Sequence, residues 1–347
     1  MLKNRIFAIW IAALVIAGCA TRQEVKYEPV ICKSISEPAP YLRVVRVPQE
    51  KLELQVAIRR LIPNRDRGNE IWIVAVSHIG ESNYYHDIQS YLDKMTLVLY
   101  EGVGMSGSKY AADQDGRSVK EKFGSSEKLR TDSSIQGKIA NALGLVFQLD
   151  AIDYSKANFK NCDMTFNQLQ TIFEERKTAE KTISPDAVKE WEKVKDLYSG
   201  DSVAVKLMEI ALKLIGSSPK MSAMMKMVFI ETLGKVEGDL SQWSGLPEGV
   251  KELFEVLIKE RNRVIIEQLK KELVKSKRGG KIALFYGAAH CGDLEKQIVA
   301  NFNYRAIDQI WVTAISVDLK LNKISEFESM FIRDIVETII RQMRDNH

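Results

Sequence analysis

Glu70-Ile71-Trp72-Ile73-Val74-Ala75-Val76-Ser77-His78-Ile79-Gly80-Glu81 is an apolar run that closes on small residues, a histidine, a glycine and an acid. The same grammar returns far downstream. There Lys281-Ile282-Ala283-Leu284-Phe285-Tyr286 runs into Gly287-Ala288-Ala289-His290-Cys291-Gly292-Asp293. The chain has four histidines, and one is the terminal His347, so two of the other three stand in matched places. Each run reads as a strand buried within a sheet. Small residues at a strand's carboxyl end let a ligand or another backbone approach closely. The glycine after the histidine permits a tight turn into the following helix. Ligands of parallel sheets bind outside the carboxyl ends of the strands, so the two histidines face one crevice if their strands are neighbours.

Working outward, Thr96-Leu97-Val98-Leu99-Tyr100 is another strand, separated from the first by a helical stretch. That is a β-α-β unit, which implies a parallel pair and a right-handed crossover. Glu101 ends this strand, so its carboxylate belongs to the same rim. His78, His290 and Glu101 make a candidate site of two imidazoles and one carboxylate for a divalent metal ion. Zinc, manganese, iron and cobalt all suit such ligands, with positions left for water. A single strand-end histidine is more often a hydrogen-bonded structural residue; the matched pair carries the functional reading.

The remaining chain extends this plan. Val146 to Tyr154 is expected to be a third strand, whose end brings Asp150, Asp153 and Tyr154 towards the crevice. Glu81, Asp293 and His86 are expected to cap helices or to stand one shell behind the ligands. Asp308 to Ser316 reads as a further strand. Leu52, Leu54, Val56, Ile58 and Leu61 are read as a helix ahead of a turn at Pro63-Asn64. Residues 104–134, rich in Gly, Ser, Lys and Asp, read as a loop. From about 165 to 275 nearly everything reads as helix, including one opened by Ser184-Pro185 with proline in the first turn. This stretch interrupts the α/β pattern as an insertion or cap beside the crevice. Met221, Met224, Met225 and Met227 cluster in it, more often a sign of adaptable packing than of a ligand groove. Ser325 and Glu328 form a capping box for a last helix, with an apolar face through Phe327, Phe331, Ile335, Ile339 and Met343. The expected fold is α/β, with a mixed, mainly parallel sheet built from two β-α-β units and a large helical insertion or cap.

The amino-terminal end carries a separate message. Met1-Leu2-Lys3-Asn4-Arg5 is a short positive stretch, followed by an uncharged apolar run from Ile6 to Ala17. That is a secretory leader pattern, too short to span a bilayer comfortably. It ends in Ile16-Ala17-Gly18-Cys19, which resembles a lipobox, the site at which Cys19 becomes the acylated first residue of a bacterial lipoprotein. Residues 1–18 are then a signal peptide, residues 19–50 a tether, and residues 51–347 the α/β domain. Four of the eight prolines (Pro29, Pro38, Pro40 and Pro48) fall in the tether. Ala20, not an acid, follows the cysteine, which by Gram-negative sorting rules favours the outer membrane facing the periplasm. Loss of Lys3 and Arg5 takes the formal charge from +4 to +2, too near neutrality for electrostatic binding of nucleic acid. Cys32, Cys162 and Cys291 would remain; they show no zinc-ribbon spacing, and one disulfide among them is open.

With these residues in place, the chain resembles the TraB/PrgY/GumN family, related to the TIKI proteases and remotely to the ChaN and erythromycin-esterase-like group. That family carries two GxxH motifs, a strand-ending glutamate and a downstream Glu-Arg-Asn stretch. Here Gly287-Ala288-Ala289-His290, Glu101 and Glu260-Arg261-Asn262 are similar, as is Leu143-Gly144-Leu145 with Gln148. Ala75 stands where the first motif has glycine. The resemblance spans residues from about 51 to 320 and implies a metal-dependent, peptidase-like hydrolase. His78 and His290 would be ligands, Glu101 a ligand or general base, and Arg261 an oxyanion or carboxylate holder. Two rival readings use the same crevice: a non-catalytic module that binds a peptide or signal, and, less favoured, a haem or iron handler. The sequence does not specify the peptide or small-molecule substrate, or the oligomeric state.

Overall fold

A computed structural model of the chain describes residues 40–64, 68–102, 135–178, 183–199, 203–235, 246–276 and 279–345. Residues 104–134, read as a loop, and the leader with Cys19 and Cys32 lie outside them. Nine strands are described: β1 (Leu42–Val47), β2 (Lys51–Pro63), β3 (Glu70–Val76), β4 (Ile79–Gly80), β5 (Leu97–Tyr100), β6 (Val146–Phe147), β7 (Phe159–Asn161), β8 (Lys281–Gly287) and β9 (Tyr304–Asp318). Helices α1 (Ser82–Leu92), α2 (Ile135–Ala142) and α3 (Gln148–Ala151) belong to the first half. Helices α4 (Phe166–Thr178), α5 (Pro185–Ser199), α6 (Val203–Gly216), α7 (Pro219–Leu233), α8 (Glu248–Phe254) and α9 (Arg261–Lys275) form the helical stretch. Helix α10 (Ala288–Phe302) follows β8, and α11 (Glu326–Asp345) ends the described chain. The molecule is α/β with a mixed sheet, as expected.

The order of that sheet decides where the site forms. Its strands run β1-β2-β3-β8-β5-β7, with β9 on the other side of β2. Strand β8 is parallel to both neighbours, pairing Val76 with Gly287 on one edge and Tyr100 with Phe285 on the other. Strands β3 and β5 are therefore not partners, contrary to the simple β-α-β expectation: β8, from the far end of the chain, lies between them. The second unit also differs. Strand β9 pairs antiparallel with β2, beyond β3.

Three local readings are corrected. Leu52 to Leu61 is β2, not helix. Its apolar residues alternate at Leu52, Leu54, Val56 and Ile58, a period of two that helix geometry does not produce. It is buried along most of its length because β1 and β3 pair along one side and β9 along the other. Residues 42–47, placed in the tether, are β1. The expected strand from Val146 to Tyr154 is strand only at Val146–Phe147 and then turns into α3, which leaves Asp150 and Asp153 exposed.

A continuous core fills the space around the sheet, and a satellite core sits in the helical stretch, where Phe173 stacks on Trp191 at 4.3 Å beside Leu169, Leu253 and Val256. The capping box at Ser325 and Glu328 forms as expected. Helix α11 packs inward chiefly through Ile332, Val336 and Ile340, with Ile339 of the face read from the sequence packed beside them. Phe327, Phe331 and Ile335 point outward. Among the described residues no helix is long and apolar enough to cross a membrane.

Candidate functional site

Because β8 lies between β3 and β5, the carboxyl ends of three neighbouring strands present His78, Gly287 with His290, and Glu101 side by side. The His78 Nε2 atom lies 4.0 Å from Glu101 Oε2, and His290 Nε2 lies 3.5 Å from Glu101 Oε1. Gly287 is the floor between them. A Cβ there would stand 2.9 Å from His78 Nε2 and 3.0 Å from Glu101 Oε2, so the close approach needs glycine.

Each histidine is held from behind. Gln148 Nε2 donates to the Tyr154 hydroxyl at 2.7 Å, leaving Gln148 Oε1 to accept from His78 Nδ1 at 2.7 Å. Asn262 Nδ2 donates to the His290 carbonyl at 3.2 Å and to Asp293 Oδ2 at 2.7 Å, so Asn262 Oδ1 accepts from His290 Nδ1 at 2.7 Å. With the proton on Nδ1, a neutral imidazole presents a lone pair at Nε2. Both lone pairs face the Glu101 carboxylate, an electron-rich spot that calls for a cation or a hydrogen-bond donor. The backbone beneath His78 is fixed as well. Its carbonyl accepts from Gln148 N at 2.8 Å, and Glu81 N donates to Ala314 O at 2.8 Å. That carbonyl is freed by a bulge in β9, and Gly80 passes it so tightly that a Cβ would come within 3.0 Å.

Arg261 is engaged by several partners within the fold. Its Nε donates to Asp163 Oδ1 at 2.8 Å, and one terminal nitrogen donates to Asp163 Oδ2 at 2.6 Å and to Glu101 Oε1 at 2.5 Å. The other donates to Leu257 O at 3.3 Å. In this arrangement the guanidinium orients Glu101, and Asp163 holds it there. A π-helical turn, Glu255–Glu260, precedes it, and the consecutive residues Arg261 and Asn262 both reach the sheet edge. Sequence reasoning missed Asp163, and it named Asn262 and Gln148 without their contacts to the two histidines. Asp163 follows a strand of three residues with no periodic signal. Glu81 sits at the start of α1, but its carboxylate accepts from Ser316 N and Oγ rather than capping the helix. Asp293 stands behind Asn262 and accepts from its amide. Tyr154 is brought in behind Gln148, whereas Asp150, Asp153 and the exposed His86 are not.

Burial alone would raise the Glu101 carboxyl, but the Arg261 guanidinium and the Gly287 N–H, which donates at 2.6 Å, outweigh it and hold it well below the usual carboxylate range. Burial, aided by Arg261, lowers His290 from 6.5 to about 4, against the pull of Glu101. His290 is thus neutral in the fold, while the unfolded chain takes up the proton first as pH falls. Its contribution is fully present above about pH 6.5 and is lost towards pH 4. Glu81, raised by burial, works in the opposite sense. Urea unfolding of metal-free wild type and His290→Gln at pH 7, 5.5 and 4.5 separates the two, since only the wild type should show the extra loss; equal slopes would exclude it. Cys162 and Cys291 are free and buried. Burial pushes the Cys162 thiol up to about 12 and raises Cys291 too, so neither is a thiolate nucleophile.

The donor chemistry fits a divalent cation: two imidazole lone pairs and one ionised carboxylate. The spacing is open. Ligands about 2.0–2.2 Å from one tetrahedral ion stand ~3.3–3.6 Å apart. His290 meets that distance and His78 exceeds it. Among the described residues no group of three or more His, Cys, Asp or Glu forms a preassembled metal cage. Searches against family models, curated proteins and solved structures return no match to this chain.

Proposed function

We propose that the chain is a metal-dependent hydrolase of the peptidase-like kind implied by the TraB/PrgY/GumN resemblance, held at a membrane surface by lipid on Cys19. One observation carries the reading: two histidines from distant segments, with tautomers set by Gln148 and Asn262, turn their free nitrogens on one buried carboxylate. His78, His290 and Glu101 would hold the ion, and zinc, manganese, iron and cobalt all suit that ligand set. Such an ion lowers the pKa of its bound water and polarises a carbonyl. The chain's own groups do the rest. Gln148 and Asn262 keep the imidazoles in the ligating tautomer. Arg261 and the Gly287 N–H engage both oxygens of Glu101, which makes it a poor proton acceptor and favours the ligand role over the general base. Asp163 holds Arg261 in place.

The test is metal analysis of the full-length protein beside His290→Ala, with hydrolysis of a peptide library measured before and after chelation. A bound divalent ion lost in His290→Ala, with turnover that follows the ion, is the expected result. Peptide bound without metal or cleavage would favour the non-catalytic module. The anchor is tested separately by growing cells on a clickable fatty acid. The wild type should take up label and Cys19→Ala should not; label retained on the variant would end the lipoprotein reading. Several acyl chains hold firmly because each buried methylene contributes about 0.8 kcal/mol.

A further inference from the structure

We infer that the outer face of α11, with Leu321 and Met221 beside it, lies against the lipid surface; this rests on the anchored-lipoprotein reading above. Helix α11 is apolar on two sides. Ile332, Val336 and Ile340 are buried beneath it, yet Phe327 is 76% exposed, Phe331 54% and Met330 47%. The rings of Phe327 and Phe331 stack at 6.2 Å, forming one apolar step on the surface. Leu321, 69% exposed, precedes the helix. A Lys220–Glu328 ion pair of 2.7 Å joins the start of α7 to the start of α11 and brings the exposed Met221 alongside. Helix α6 carries a second outward stripe at Leu207, Ile210 and Leu214 and ends at the same corner. Apolar side chains scattered singly are ordinary on a soluble surface, but a contiguous set marks a contact.

Two observations favour lipid as the occupant. The first is where the undescribed chain enters. Gln49, in the turn between β1 and β2, donates to Glu326 at 3.1 Å, so the start of α11 lies at one end of β1 and residue 40 at the other. The entry point is thus roughly 20 Å, one short strand, from the patch. Residues 20–39 can span at most ~70 Å, so acylated Cys19 reaches the patch easily. Tethering keeps the lipid surface at high effective concentration, and a modest apolar contact is then well populated. The second is charge. Around the patch, Lys213, Lys220, Lys320, Lys323 and Arg333 are balanced by Glu50, Asp318, Glu326, Glu328 and Asp334. The contact is therefore apolar insertion by aromatic and aliphatic side chains, indifferent to headgroup charge.

The full-length acylated protein, reconstituted in phosphatidylcholine vesicles containing a diazirine lipid, tests this by photolabelling and peptide mapping. Adducts are expected on residues 319–338 and 207–221, and they should persist in about 0.5 M salt, where surface charges are screened. The exposed pair Phe327→Ser/Phe331→Ser should lower them roughly tenfold, given the apolar area removed, without changing the melting temperature. Adducts confined to residues 1–39 would keep the anchor and overturn the docking. Adducts nowhere would overturn both. Phe331→Cys cross-linking to a second copy in place of lipid would assign the face to self-association and overturn the inference.

Discussion

Arg261→Met is expected to destabilise the fold by ~3–5 kcal/mol, the usual consequence of removing one partner from a buried charge cluster. The Asp163 side chain is fully buried and Glu101 nearly so. Without the guanidinium, two carboxylates face each other out of water. Each must then take up a proton or draw in solvent. Urea unfolding at neutral pH gives the magnitude. A loss below ~1 kcal/mol, the value of an exposed pair, would show that the cluster is solvated and that Arg261 does not organise the site. Asp163→Asn keeps one acceptor and the shape, so it should cost less than Arg261→Met.

Glu101→Gln should behave in the opposite way: a standing fold with an emptied site. Arg261 keeps both bonds to Asp163, so stability falls less than in Arg261→Met, although the amide must turn its N–H group on either Arg261 or the Gly287 N–H. The amide, however, places N–H groups where a negative charge faced two imidazole lone pairs, and the affinity for a divalent ion falls. Loss of partners one shell further out costs about 10–100-fold in metal affinity, so removal of the central carboxylate should cost roughly a hundredfold or more. Asn262→Ala and Gln148→Ala should fall within the smaller range. Competition titration with a metal indicator ranks the four proteins. Undiminished binding by Glu101→Gln would remove Glu101 from the ligand set.

His78, His290 and Glu101 were legible because each follows a strand whose apolar run is unambiguous, and because a repeated pattern in one chain is its own control. The partners that make them a site were not. Gln148 lies in a stretch apolar enough to resemble a strand, yet the chain there turns after Phe147 into a short helix. Asp163 sits in Asn161-Cys162-Asp163, which carries no period of any kind. Arg261 was found through a resemblance that names the residue but not its contacts. Strand β2 is hard to tell from a helix because residues buried on both faces blur its alternation. The sheet order lies further out of reach, since the placement of β8 between β3 and β5 is set by which distant edges meet. For α11, sequence periodicity shows two apolar faces but not which one the rest of the molecule covers.

The placement of β8 also governs how the molecule comes into being. Strands β3 and β5 are made early, yet each keeps a bare edge until residues 281–287 arrive to fill the gap. A chain threaded through a membrane from its amino end would expose those edges while the helices between them and β8 emerge. Unpaired parallel edges recruit other strands, and pairings between distant segments are slow to form. A product truncated before residue 281 is therefore not a smaller version of the domain but a sticky intermediate. The most vulnerable moment of this protein falls just before the closing of its last central strand.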